Sequence, residues 1–442
     1  MTKVSEQRAS VGQDFDVVIV GAGASGLMCA IHAGRLGHRV LVLERGAKPG
    51  LKILVSGGGR CNFTNLWADP QQHYLSDNEH FCISAMRRYS PDDFIGMVNA
   101  HGIAYHEKKL GQLFCDRSAQ DIVDMLLTEA AKVGVVVRLN SEVTSVAPSE
   151  SIAGHYDVVV GGPKQQQRGG NTGEKNRRHS QGTASERLVT PSVVLASGGL
   201  SLPKVATDLA LRLATQFEMA VVPPSPALVP LTWNNADRAV LVELSGVALD
   251  CEVSCAGQSF RENLLFTHRG LSGPAMLQAS SYWASGDAIY INLQPDLDLA
   301  FWLQEEQSRR PKALLSTVLK SVLPNRFVDA VTGHWFADAV MGQLGGEAQK
   351  KVALALAQWS FKPGGTEGYR TAEVTLGGIC TKEFSSKTFE AKRFPGLFAV
   401  GEALDVTGWL GGYNFQWAWA SGYCCAQHLP TRASKLQSSR TQ

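Results

Sequence analysis

The sequence predicts an α/β fold built around a parallel sheet, and three stretches carry that prediction. The first, "DFDVVIVGAGASGLMCAIHAGRLGHRVLVLERG" (Asp14 to Gly46), runs from an apolar segment through a glycine turn and a helical spacing to a second apolar segment. The second, "VVLASGG" (Val193 to Gly199), repeats the passage from apolar strand to glycine turn. The third, "FPGLFAVGEALDVTGWLGGYNFQWAWASG" (Phe394 to Gly422), repeats it near the far end. Short, continuous apolar runs mark strands buried on both faces, as the strands of a parallel sheet are.

In the first stretch Val17 to Val20 form a strand, and Gly21, Gly23 and Gly26 then give G-x-G-x-x-G. Leu27, Ala30, Ile31 and Gly34 follow at helical spacing, Gly37 ends the helix, and Val40 to Leu43 form a second strand closing on Glu44. Each part has a task in a Rossmann-type unit. Gly21 allows the tight turn, Gly23 lets a pyrophosphate approach the backbone, and Gly26 lets helix and strand pack closely. The phosphates then meet the helix N-terminus at Ala24 and Ser25, where free amides and the dipole favour an anion. Glu44, with Arg45 beside it, is placed to accept hydrogen bonds from an adenosine ribose, and its charge argues against a 2′-phosphate. An ordinary βαβ turn leaves Glu44 unexplained. The unit reads as a dinucleotide site.

"SGGGRCNFTN", Ser56 to Asn65, follows Glu44 by twelve residues. Consecutive glycines lose too much backbone entropy in a helix or strand, so this stretch reads as a loop. Lys52, Ser56, Gly57, Gly58 and Gly59 would line a flat, extended cofactor, with Arg60, Asn62 and Asn65 as donors. Cys61 reads as a small residue packed near that cofactor. A thiol relay would need a second cysteine, and Cys29, on the first helix, is the only close one in sequence.

The far end decides between the dinucleotides. A strand ending in Gly401-Glu402 suits a ribityl chain, whose hydroxyls need a carboxylate acceptor. Gly411-Gly412, opening a helix with Tyr413 and Asn414 in its first turn, suits the pyrimidine end of a flavin. NAD has no ribityl chain to require this second element, so the sequence predicts FAD. Ser197, Gly198 and Gly199 complete the expected cofactor set. "VVVRLNSEVTSV", "HYDVVV" and "RLVT" read as a small antiparallel meander.

Bulk properties narrow the rest. No run of eighteen apolar residues exists, so no membrane span is expected. The polar opening, "MTKVSEQRASVGQ", reads as a disordered leader and not a secretory signal. Nine irregularly spaced cysteines with no C-x-x-C pair predict reduced thiols in a cytoplasm and no metal site. A net charge of +2 argues against nucleic acid as a partner. From Gly161 to Arg187 the chain is polar, basic and without apolar periodicity. That segment reads as a disordered insertion, with a nucleic-acid-binding arm as the alternative.

With these motifs the chain resembles the bacterial aminoacetone-oxidase-like (BaiN/YhiN-type) NAD(P)/FAD-dependent oxidoreductases. The matching pieces are "VIVGAGASGL", Lys52 with "SGGGRCNFTN", "NLLFTHRGLSGPAMLQAS" (Asn263 to Ser280), "VTLGGI" (Val374 to Ile379) and the Phe394–Gly422 stretch. The resemblance implies an FAD domain made from both ends of the chain, over 14–204 and 373–428. A β-barrel-like insertion is expected over 205–296, completed by about 351–372, with a small helical insertion over 297–350. The short β-like runs in "LVELSGVALDCEVSCAG" and the helical "KALLSTVLKSVL" agree. Relatives commonly follow the second glycine turn with a Gly-rich stretch ending in G-D-G. Here "GGLSLPKVATDLALRLA" lacks those glycines, which puts cofactor contacts from that loop in question.

The expected activity is FAD-dependent oxidoreduction of a small-molecule substrate, as an oxidase turning over with O2 or a reductase with NAD(P)H as a transient electron donor. The alternatives are a flavoprotein directed at nucleic acid and a flavin sensor without turnover. His268 and Thr267, in a turn bounded by Gly270 and Pro274, are the catalytic candidates. His268 would donate a proton as hydride is passed; its competing role is a histidine bonded within the turn.

Overall fold

The computed structural model describes residues 14–161 and 185–430. The leader and most of the basic segment, 162–184, fall outside them. Glu186 and Arg187, expected to be disordered, lie in the strand Glu186–Thr190. The described chain forms two compact units, one reaching Pro224 and resuming at Leu376, the other running from Ser225 to Thr375.

The first unit is built on a five-stranded parallel sheet in the order Leu397–Ala399, Val193–Leu195, Val17–Val20, Val40–Leu43, Val136–Arg138. Every residue of its first two strands is buried, as the apolar runs require. The helix Ala24–Arg35 joins those strands, and Gly37, at φ +86°, carries the chain out of it. Both ends of the chain meet in this sheet, because Val193 pairs with Val18 on one side and Leu397 on the other. The final helix, Tyr413–Ala426, crosses the first so closely that a Cβ on Gly422 would fall 2.4 Å from the Ser25 carbonyl.

Two readings need correction here. Val136–Arg138 belongs to the edge of the parallel sheet, and the meander holds only Val143–Pro148, Tyr156–Val160 and Glu186–Thr190. Asn62–Asn65, the second half of the glycine loop, is a strand paired antiparallel with Gln112–Cys115. The glycine penalty acts only on Ser56–Gly59, which form a tight 3-10 turn with Gly57 and Gly58 at positive φ.

The second unit holds a seven-stranded antiparallel sheet. In order its strands are Trp359–Phe361, Ile289–Asn292, Ala248–Cys255, Gln258–Phe266, Gly270–Ser272, Leu231–Thr232 and Gly365–Thr366. The two outermost strands are consecutive in the chain, separated only by 362–364, so the sheet curls until its edges approach. Phe266 and Phe361 are fully buried on its inner face, together with Phe327 from the helix Asn325–Val331. "LVEL", read as β-like, is instead the end of the helix Asn235–Leu241 and a 3-10 turn. No helix among the described residues is long and apolar enough to cross a membrane.

Candidate cofactor site

The first glycine turn fits its tasks closely. Gly21 has φ +110°, and a Cβ there would lie 2.4 Å from the Ala196 carbonyl of the neighbouring strand. A Cβ on Gly26 would lie 2.0 Å from the Gly21 carbonyl, so helix and turn touch backbone to backbone. Gly23 is different, since a Cβ there would meet nothing within 4 Å. It caps the helix that opens at Ala24 and Ser25, and no side chain satisfies that helix end. Open space over an uncapped helix N-terminus is the shape that accepts a diphosphate.

Glu44 is half-buried at the end of its strand. Its Oε2 accepts the Ala22 amide at 2.9 Å and its Oε1 the Gly46 amide at 2.7 Å. A carboxylate has about four acceptor positions, so two remain for ribose hydroxyls. Arg45 is exposed, and its Nη2 donates to the Ala206 carbonyl at 2.6 Å.

Beyond the turn, three distant segments converge. Lys52 Nζ donates to Glu402 Oε2 at 2.5 Å and to Ser201 Oγ at 2.7 Å. Ser201 Oγ in turn donates to Glu402 Oε1 at 3.2 Å. The loop that lacks the relatives' glycines therefore contributes through Ser201, a residue that sequence reasoning passed over. Gly198, in the second glycine turn, would place a Cβ 3.8 Å from Glu402 Oε2, and Gly199 beside it is buried. Ser197 Oγ is buried without a hydrogen-bond partner among the described residues. An orphaned hydroxyl in this turn is a group waiting for a ligand, because burial without a partner costs about 1–3 kcal/mol. Gly401 receives its own brace, its amide donating to Ser421 Oγ at 3.0 Å.

The glycine loop and the start of the final helix form the other end. A Cβ on Gly412 would lie 2.4 Å from the Thr64 carbonyl. Asn65 Nδ2 donates to the Gly411 carbonyl at 2.8 Å, and Thr64 Oγ1 to Gln416 Oε1 at 2.6 Å. Asn62 lies against Gly412 as well, its side-chain amide only 2.8 Å from that Cβ position. Gly58 and Gly59 face open space, whereas Gly57 is hemmed by Phe114. Ser56 Oγ turns back to the Ile53 carbonyl at 2.8 Å, and Arg60 is exposed. Tyr413 is buried and packs its ring 4.7 Å from that of His73, which also meets Trp409 edge-on at 4.8 Å. Asn414 braces the preceding turn, accepting the Gly408 amide and donating to the Gly408 carbonyl, both at 2.8 Å.

Cys61 is fully buried at φ +49°, and burial pushes its thiol well above the ordinary range. Cys29, a free thiol, lies beside the free thiol of Cys425 on the final helix and not beside Cys61, so it is not a relay partner for Cys61. Gln112 and His73 escaped sequence reasoning because no local motif surrounds them. They reach the site only through long-range pairing.

Thr267 and His268 lie in the second unit, at the tip linking Gln258–Phe266 to Gly270–Ser272. The Thr267 hydroxyl donates to the Gly270 carbonyl at 3.0 Å and accepts the Gly270 amide at 3.0 Å, so it is committed to the turn. His268 is exposed. The neighbouring Arg269 pairs with Glu367 at 3.4 Å.

The family described as HI0933-like protein Rossmann domain matches residues 15–428. The chain is 48% identical over 418 residues to the ribosomal RNA dihydrouridine synthase of Escherichia coli strain K12, covering 94% of this chain and 98% of the relative. It is 43% identical over 419 residues to the protein of the same name from Haemophilus influenzae, with the same coverage. A 3-dehydro-bile acid delta(4,6)-reductase of Clostridium scindens is 26% identical over 435 residues. The first two names carry ribosomal RNA, which overturns the expectation of a small-molecule substrate with no nucleic acid. Net charge misled because it averages the whole chain, whereas RNA is met by a local surface. Glycine turns, acid and open helix end fit a dinucleotide, and the match spans nearly every described residue: the chain belongs to the HI0933-like family of Rossmann-type, FAD-binding flavoprotein oxidoreductases.

Proposed function

We propose that this protein is an FAD-dependent reductase that converts uridine in ribosomal RNA to dihydrouridine. One observation carries the reading: two relatives bearing that activity in their names are 48% and 43% identical, each over 94% of this chain. Cytoplasmic work is part of this reading, since that is where such a substrate is met.

In this reading Gly21, Gly23, Gly26, Ala24 and Ser25 receive the diphosphate, and Glu44, with Arg45 beside it, receives the adenosine ribose. Lys52, Glu402 and Ser201 exchange part of their mutual bonding for the ribityl hydroxyls, and Ser197 gains the partner it lacks. Gly198, Gly199 and Gly401 keep the backbone close at that point. Ser56 to Asn62 and Gly411 to Asn414 frame the ring end. Bound and reduced, FAD supplies a hydride equivalent for the uracil C5–C6 double bond, and a nicotinamide dinucleotide is the class of reductant required. The second hydrogen arrives as a proton, and His268, exposed on a turn that Thr267 stiffens, is our candidate to deliver it. His268→Ala should then slow reduction of the RNA by roughly 10²–10⁴ while leaving FAD content unchanged.

The test is direct. The yellow, FAD-loaded protein is incubated with unmodified ribosomal RNA and NADH or NADPH, and the digested nucleosides are weighed by mass spectrometry. A uridine gaining two hydrogens is expected. FAD-loaded protein that leaves every uridine unchanged with either donor would end this reading.

A further inference from the structure

Where the strand Asn62–Asn65 ends, large apolar side chains stand in the open. Leu66, Trp67 and Leu110 are 41%, 54% and 41% exposed. They are neighbours, since the Leu66 amide donates to the Gly111 carbonyl at 2.9 Å, and a Cβ on Gly111 would meet the Trp67 ring at 3.2 Å. Asn65 ties this patch to the cofactor end. Its Oδ1 accepts the Trp67 amide at 2.9 Å, while its Nδ2 donates to the Leu110 carbonyl at 3.0 Å and the Gly411 carbonyl at 2.8 Å.

Two lysines and two carboxylates stand beside the patch, and the lysines are the groups able to meet an anion. Lys108 and Lys109, both exposed, precede Leu110 in the same turn, and the Lys108 ammonium stands 5.4 Å from the Phe114 ring centroid. The nearby carboxylates face backbone: Glu107 Oε1 accepts the Gly111 amide at 3.1 Å, and Asp69 Oδ1 the Gln71 amide at 2.8 Å.

We propose that Trp67, with Lys108 and Lys109, is a docking platform for an unpaired stretch of the RNA substrate. The indole stacks on a base, a contact that tolerates any sequence, while the ammonium groups meet phosphates on the flanking backbone. The proposal rests on the reading of ribosomal RNA as substrate and adds where the strand lies. A second copy of the chain is the weaker occupant, because a two-fold pairing about Trp67 would press each lysine pair towards its own copy.

The experiment measures binding of a labelled, single-stranded, uridine-rich RNA to the FAD-loaded protein by fluorescence anisotropy at several salt concentrations. Trp67→Ala should weaken binding roughly tenfold to a hundredfold, and Trp67→Phe should recover most of it. The double variant Lys108→Glu, Lys109→Glu should lower the magnitude of the salt slope by about 1.4. FAD content and flavin spectrum should stay as in the parent protein. If both the alanine and the double variant bind RNA as the parent does, the platform falls, while uridine reduction by the parent keeps the wider reading. A dimer abolished by Trp67→Ala with RNA binding intact would overturn the platform in favour of self-association. A parent protein that neither binds nor reduces RNA takes both down.

Discussion

The turn Gly21–Gly26 and the turn Ser56–Gly59 are both rich in glycine, and both line the candidate cofactor site, yet they are held differently. In the first, two of the three glycines are fixed by backbone so close that an added Cβ would lie 2.0 or 2.4 Å from it. In the second, a Cβ on Gly58 or Gly59 would meet nothing within 4 Å, and the stretch is held from outside, by the Ala119 amide donating to the Gly59 carbonyl at 2.7 Å and by Asn62–Asn65 pairing with Gln112–Cys115 and abutting Gly412. The first is dictated by its own packing. The second is dictated by what the rest of the chain brings to it.

The largest expected effect separates the two turns. Gly26→Ala should destabilise the protein by about 3 kcal/mol or more, since its methyl group must displace backbone. Gly58→Ala should cost only about 1–2 kcal/mol, for left-handed backbone at φ +66° in open space. Urea unfolding of both variants measures the gap, and equal losses would erase the distinction drawn here.

Acid tests whether the two ends of the site fail together. His32, on the first helix, is buried with its ring 4.7 Å from Tyr423 of the last, and burial lowers its pKa from 6.5 to about 4, with Arg35 adding to that and Glu129 opposing it. Between those values the unfolded chain binds a proton that the folded chain refuses. Stability is therefore complete above pH 6.5 and falls as the pH drops towards 4, by up to about 3 kcal/mol. His32→Gln should flatten that slope. Loss of flavin fluorescence quenching ahead of global unfolding would show that one end opens alone.

The smallest effect isolates the adenosine end. Glu44→Ala should weaken FAD retention by about 1.5–3 kcal/mol, as expected for hydrogen bonds to a charged acceptor. Gel filtration followed by flavin quantitation reads it. Full retention would assign Glu44 to bracing the Ala22 and Gly46 amides.

The same contrast explains how much was legible in the sequence. Val17 to Glu44 could be read residue by residue because strand, turn, helix and acid bond among themselves. Ser201, Gln112 and His73 could not, because each matters only through partners far away in the chain. Val136–Arg138 was misplaced for a related reason: two valines and an arginine pair as well in a meander as at a sheet edge, and only Leu41–Leu43 decide it. Asn62–Asn65 was hidden by the glycines before it. At the proposed docking platform, a summed charge concealed two lysines standing beside an exposed indole.

Residues Gly401–Ala426 complete a cradle begun at Gly21, and the ribosome makes Gly401 380 residues later. At 5–20 residues per second that interval is roughly 20–80 s. Throughout it the nascent first turn holds one half of a site whose other half has not been synthesised. Cofactor capture must therefore follow synthesis of that half, and a chain stalled short of Gly401 would be colourless however well its earlier strands had paired.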